Sequence, residues 1–251
     1  MTNLTFVKPG DQASQLAAML TSAITTRSAN SPRSRQKTVG LSEIGEKCVR
    51  KSAYKIMGHP QIVRHEEVWP SFSGTAIHAS LADVFGKDKE RFLVEHKVTA
   101  LAGFKGTCDL FDKHEKMVID HKCVGNTSMQ RAKKSGMSDQ QRVQINLYGL
   151  GIENELGEGS VEYVALAFYP LGGFLSGMHT IVEPYNRQLA IDALQRFGNI
   201  QELVWGLDPE KNPETWSVIP ASPSAGCTYC PWFLHGSTDL SKGCPGDVGA
   251  A

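Results

Sequence analysis

The residue pattern predicts an α/β protein: a mixed central sheet with helices packed on it. Two observations carry this. Residues 91–122 hold three short stretches rich in β-branched and aromatic residues, FLVEHKV, GTCDLFD and KMVIDHK, separated by Gly-containing or charged turns. Two further stretches, VEYVALAFYP (161–170) and LSGMHTIVE (175–183), have the same character, and the segments around them show helical spacing. The first three read as an antiparallel meander, and the later two extend the same sheet.

Ala13 to Thr25 spaces Leu16, Leu20 and Ile24 as a helix does. The tract RSANSPRSRQK that follows carries Arg27, Arg33, Arg35 and Lys37 without an acid, and reads either as a flexible loop or as one touching phosphates. LSEIGEKCVRKSAYKIMGHP reads as one helix capped by Ser42 and stopped at Gly58 to Pro60. SGTAIHASLADVFGK (Ser73 to Lys87) reads as another, capped by Ser73 or Thr75, with His78 on its inner side. SDQQRVQINLYGLGIEN opens with a cap at Ser138 and sets Gln144 and Tyr148 one turn apart on one face. The last helix runs from about Pro184 to Trp205 and packs on the sheet.

At 251 residues, with 41% apolar and 21% charged residues, the chain can bury a sizeable core. Lys plus Arg and Asp plus Glu number 26 each, so no global basic charge advertises a nucleic-acid partner. No leader pattern opens the chain, and the longest apolar stretch is too short and too broken by Gly and Pro to span a bilayer. The expected location is cytoplasmic, without a membrane partner.

Acids interrupt the strands at Glu95, Asp109 and Asp120. Alternation points Asp120 and Lys122 the same way, and a turn near His114 and Glu115 brings Asp109 close to Asp120. Carboxylates so placed raise each other's pKa unless a cation neutralises them, and hard oxygen donors suit Mg²⁺ or Mn²⁺. Lys122 beside such an ion could orient a water and stabilise charge growing on phosphorus, which is phosphodiester chemistry. Arg131, Lys133, Lys134 and Arg142 flank this site and are expected to face DNA.

In chain order the stations are His78, Glu95, G-T-C-D ending at Asp109, D-H-K at 120–122 and Q-I-N-L-Y at 144–148. This resembles the RecB-like branch of the PD-(D/E)XK nucleases, including the CRISPR-associated exonucleases and the AddB nuclease domain. The resemblance implies a restriction-endonuclease-like core at 61–205, between an N-terminal helical segment at 1–60 and a C-terminal cysteine segment at 206–251. It implies a metal held by His78, Asp109, Asp120 and the backbone carbonyl of His121, with Lys122 positioning water. Glu95 would serve a second metal or order the site, and Gln144 and Tyr148 would contact DNA. The activity implied is removal of nucleotides from single-stranded or duplex DNA ends. A structure-specific endonuclease, or a non-cutting end-binding subunit of a recombination or CRISPR adaptation complex, is the alternative. A homo-oligomer or such a protein partner is compatible with either.

Of six cysteines, Cys108 and Cys123 adjoin Asp109 and Lys122, and alternation sends them to the opposite face as small core residues. Cys227, Cys230 and Cys244, in C-x-x-C and C-P contexts, form a metal-knuckle pattern short of one ligand, which Cys48 could supply. The same nuclease resemblance implies that these four bind a [4Fe-4S] cluster clasping the two ends of the domain. Thirteen residues between Cys230 and Cys244 make the last interval longer than the family's. Four thiolates equally suit Zn²⁺, which would fit a zinc-stapled interaction protein.

Overall fold

The computed structural model describes residues 9–29, 38–62, 67–222, 224 and 226–246. Its five-stranded sheet has the order β1-β2-β3-β4-β5. The strands are β1 (Phe92–Leu101), β2 (Phe104–Asp112), β3 (Met117–Val124), β4 (Tyr163–Pro170) and β5 (His179–Pro184). As the turn signals predict, β1, β2 and β3 form an antiparallel meander. β4 then pairs parallel to β3 through a helical crossover, and β5 returns antiparallel. The Arg/Ser tract at 30–37, with Arg33, Arg35 and Lys37, lies outside the described residues.

The helices are α1 (Pro9–Ala29), α2 (Leu41–Ile44), α3 (Val49–Met57), α4 (Trp69–Phe85), α5 (Asn126–Ser135), α6 (Asp139–Leu156) and α7 (Arg187–Leu207). Adjacent residues of a strand face opposite sides. Asp120 meets Gln144 of α6, whereas the His121 ring lies 5.9 Å from both the Phe85 and His78 rings of α4. Hence α6, with α2 and α7, covers one face, and α4, with α1 against it, covers the other.

Three local expectations are corrected. The segment from Leu41 to Met57 is two helices, and Ser42 lies inside the first, whose N-cap is Gly40. The break falls where the chain touches α6: a Cβ on Gly45 would sit 3.0 Å from Cα of Gln140. The Glu46 carboxylate then accepts the Cys48 amide at 3.0 Å and starts α3 afresh. α4 begins earlier than Ser73 or Thr75, with Pro70 in its first turn. The two hydroxyls instead donate to carbonyls four residues upstream, Trp69 at 2.7 Å and Ser71 at 2.8 Å. Leu175–Gly177, expected in the last strand, form a 3₁₀ turn before it, with Met178 as its C-cap. The Ser138 cap is present as a full capping box with Gln141.

Two cores result. The larger lies between the sheet and α2, α5, α6 and α7, and includes Val98, Cys108, Phe111, Leu147 and Phe197. The second joins α3 to the far end of α7 and the C-terminal segment, where Tyr54 stacks on Trp216 at 4.3 Å and on Trp232 at 5.6 Å. No helix among the described residues is long and apolar enough to cross a membrane.

Glycines let α6 approach neighbours on two of its sides. A Cβ on Gly151 would lie 2.6 Å from Cβ of Val98, and one on Gly149 would lie 2.6 Å from the Tyr185 ring. The Cβ of Val98 cannot yield without moving β1. Gly151→Val is therefore expected to destabilise the fold by about 1–3 kcal/mol in denaturant unfolding, with partial recovery when Val98→Ala is added. Unchanged stability in the single variant would contradict the close approach.

Candidate active site

The alternation that the sequence implies breaks at the two acids on β1 and β2. On β1, Val98 and Ala100 belong to the main core, yet so does the contact made by Leu93, an odd position. On β2, Cys108 and Phe111 share that core although they are three residues apart. Each strand therefore switches faces between those positions. Glu95 does this with a φ of 47°, a left-handed conformation that costs a non-glycine residue about 1–3 kcal/mol. The ladder pairs Val94 with Leu110 and His96 with Cys108, skipping Glu95 and Asp109.

Between β2 and β3 the ladder stops at Leu110 and Ile119. Beyond it, the amide of His121 donates to Asp109 Oδ2 at 2.8 Å, so a side chain accepts where a strand carbonyl would. The other oxygen, Oδ1, lies 3.5 Å from His78 Nδ1 on α4. Donor atoms of His78, Glu95 and Asp109 all fall within 4.8 Å of one another, the only such set of His, Cys, Asp or Glu among the described residues.

Asp120 is not in that set. Its carboxylate is turned towards α6, where Gln144 Nε2 donates to Oδ1 at 3.3 Å. The Lys122 ammonium stands 2.6 Å from Oδ2, but Oδ2 is buried without a donor in hydrogen-bonding geometry. Lys122 is thus the counter-charge that faces this buried oxygen. Gln144 Nε2 also donates to the Tyr148 hydroxyl at 2.9 Å, and Tyr148 is only 7% exposed. Gln144, half-buried, thus faces Asp120, and Tyr148 lies buried behind it. Gly106 of the G-T-C-D stretch makes this fit, since a Cβ there would lie 2.9 Å from Tyr148 Cε1.

The flanking cations divide. Arg131, Lys133 and Lys134 are exposed on α5. Arg142 is held by both oxygens of Glu183, at 2.7 and 2.8 Å, and so already has a carboxylate partner. Nothing in the spacing of residues 142 and 183 signalled that pair. His121 contributes beyond its main chain: its ring packs among Phe85, His78 and Tyr169 behind the site. Burial pushes that imidazole down to about 4, so the plate behind His78 is neutral. Cys108 is fully buried, whereas Cys123, expected in the core, is only half-buried.

Charges across the site are coupled. Burial pushes Asp120 up to about 6, with the Asp109 charge adding to it and Lys122 opposing. Burial also raises Asp109, but His78 and the His121 amide outweigh it and hold the group below the usual carboxylate range. The hydrogen bond to Asp109 raises His78 against its burial. Burial and then Asp109 raise Glu95.

The four remaining cysteines come together at the second core. Cys48, Cys227, Cys230 and Cys244 line one cavity of about 430 Å³. Backbone amides of Ser222 and Ser224 point to the sulfurs of Cys48 at 3.5 Å and Cys227 at 3.4 Å, and Arg50 Nη1 lies 3.6 Å from that of Cys244. These donors suit thiolates rather than thiols.

No protein-family model matches the chain, and no curated protein does. Among solved structures it resembles an alkaline exonuclease (LHK-Exo) from Laribacter hongkongensis, at 11% identity, covering 74% of this chain and 97% of that one with a TM-score of 0.51. The same exonuclease in complex with dAMP matches at 12% identity, 74% and 96% coverage and a TM-score of 0.48. A phage-related exonuclease from Haemophilus somnus matches at 14% identity, 65% and 82% coverage and 0.41. The first likeness establishes a shared α/β fold.

A divalent ion held here would compete with protons for His78 and Asp120, both of which hold protons to a higher pH than usual. Mn²⁺ affinity, read by titration calorimetry on the protein alone, is expected to fall as pH drops from about 8 to about 5.5, by up to about tenfold per unit for each proton displaced. Burying ionised Asp120 costs stability above its unfolded value near 4, and fully so above about 6. Mn²⁺ should therefore raise the melting temperature more at pH 8 than at pH 5, and an equal rise at both would oppose this account.

Proposed function

We propose that this protein is a metal-dependent deoxyribonuclease of the RecB-like PD-(D/E)XK kind, acting at DNA ends. The observation that carries the reading is the convergence of His78, Glu95 and Asp109 beside the buried Asp120–Lys122 pair. A shared fold with an alkaline exonuclease supports it. His78, Glu95 and Asp109 would hold a Mg²⁺ or Mn²⁺ ion, with Asp120 and the His121 carbonyl on its β3 side. Such an ion supplies charge neutralisation at the phosphate and a more acidic water.

The protein's own groups then have distinct tasks. Asp120 holds the Lys122 ammonium at the site, where it can orient the attacking water and offset charge building on the non-bridging oxygens. Gln144 and Tyr148 keep the Asp120 carboxylate from rotating away. The neutral His121 ring keeps α4, and so His78, against β3. Arg131, Lys133 and Lys134 offer charge to the phosphate backbone.

The cysteine cavity is read as an iron–sulfur site rather than a zinc site on the same family resemblance, and what supports it is that all four thiols line one cavity. A [4Fe-4S] cluster held there would join residues near both ends of the domain and restrict the unfolded chain.

The deciding experiment digests end-labelled single- and double-stranded DNA and circular single-stranded DNA with Mn²⁺ or Mg²⁺. Wild type should release short products from labelled ends and spare circles, and Lys122→Ala should lose at least about 10²-fold in rate. Equal cleavage by both proteins removes the mechanism, and cut circles make the protein an endonuclease. Separately, anaerobically purified wild type should be brown and carry iron and sulfide. Cys227→Ser should be colourless and poorly soluble, and a brown, soluble variant would refute the clasp.

A further inference from the structure

We propose that the tip of the β4–β5 connection, residues 171–178, is a stacking surface for the unpaired bases of a DNA strand. The proposal rests on the deoxyribonuclease reading and adds a binding element to it. The tip, LGGFLSGM, carries no charge and exposes its large side chains: Phe174 is 84% exposed, Leu175 71%, and Leu171 and Met178 42% each. Holding an aromatic ring almost wholly in water gains nothing for the fold. Gly173, with a φ of 95°, sets the turn, and added Cβ atoms at Gly172 or Gly173 would meet nothing within 4 Å. The tip therefore stands clear of the body and is not a poorly packed part of it.

Its placement ties it to the site. Lys122 pairs in register with Phe168, and Val124 with Pro170. The amide of Leu171 donates to the Val124 carbonyl at 3.0 Å. Phe174 follows Phe168 by six residues, a reach of at most about 20 Å, or a few nucleotides of strand. From the same end of β3, one residue past Val124, Gly125 caps α5. That helix contains no acid, and its exposed Arg131, Lys133 and Lys134 enter no ion pair among the described residues.

An uncharged aromatic tip beside a row of free cations is matched by one kind of partner with both a flat apolar face and a repeating negative charge. Single-stranded nucleic acid has that chemistry: phosphates track the cations and bases stack on the ring regardless of sequence. A lipid surface or a second copy of the chain would use the apolar tip without requiring the cations to lie beside it.

The test uses the full chain carrying Lys122→Ala, so that DNA is bound and not cut. Fluorescence anisotropy would compare a duplex with a single-stranded tail and a blunt duplex of equal charge. Adding Phe174→Ser should weaken tailed DNA about tenfold, the scale of losing one base–aromatic stack, and leave blunt DNA within about twofold. Phe174→Trp should keep the affinity, and its fluorescence should be quenched by the tail. Equal weakening of both DNAs, or none of either, overturns the proposal. So does a change of solution mass in Phe174→Ser, which would make the tip a contact between copies. If Lys122→Ala binds no DNA of any form while remaining folded, the deoxyribonuclease reading itself falls, and the stacking surface falls with it.

Discussion

The hydrogen bond from the His121 amide to the Asp109 carboxylate is the constraint on which the site depends. It forms where the β2–β3 ladder has ended, and it satisfies a buried donor that would otherwise have no acceptor. One oxygen of Asp109 is spent on the neighbouring strand, which leaves the other for His78 and for whatever cation joins them. Along β3, alternation sets Asp120 and Lys122 on one face, where they pair at 2.6 Å. The site is thus a consequence of two strands parting at a chosen residue.

Strain and close packing hold that opening in place. Glu95 adopts a left-handed conformation opposite Asp109, so the edge strand changes faces at the same level as its neighbour. From the other side, Gly106 admits the Tyr148 ring and Gly151 admits Val98, which lets α6 press Gln144 onto Asp120. Together these keep an ionised or ionisable carboxylate in a pocket that pushes its pKa up to about 6.

The cysteine cavity is built on a separate core. Tyr54 stacked between Trp216 and Trp232, and Arg50 bonded to the Ile219 carbonyl at 2.8 and 3.0 Å, already bring the two ends of the chain together. The four sulfurs therefore meet on a surface that packing has organised. Lys47 reaches from this segment to Asp139 at the start of α6, the helix that braces Asp120. The cysteine cavity and the acidic site thus both adjoin α6.

Much of the fold was legible in the residues themselves. Turn-punctuated β-rich runs, the Ser138 capping box and the long amphipathic C-terminal helix are local signals, and local chemistry settled them in both sequence and structure. The placement of Glu95, Asp109, Asp120 and Lys122 on three neighbouring strands was legible for a similar reason, since spacing within and between short strands survives folding. Tertiary structure decided what spacing cannot encode. Alternation assumes an unbroken strand, so it could not foresee that β1 and β2 switch faces at Glu95 and Asp109, bringing Glu95 and not Asp120 beside His78. Nor could it tell that Tyr148 is buried against Gly106, or that Glu183 claims Arg142 from 41 residues away. Each of these outcomes depends on which elements approach closely enough to compete for the same side chain, and that is a property of three-dimensional packing alone.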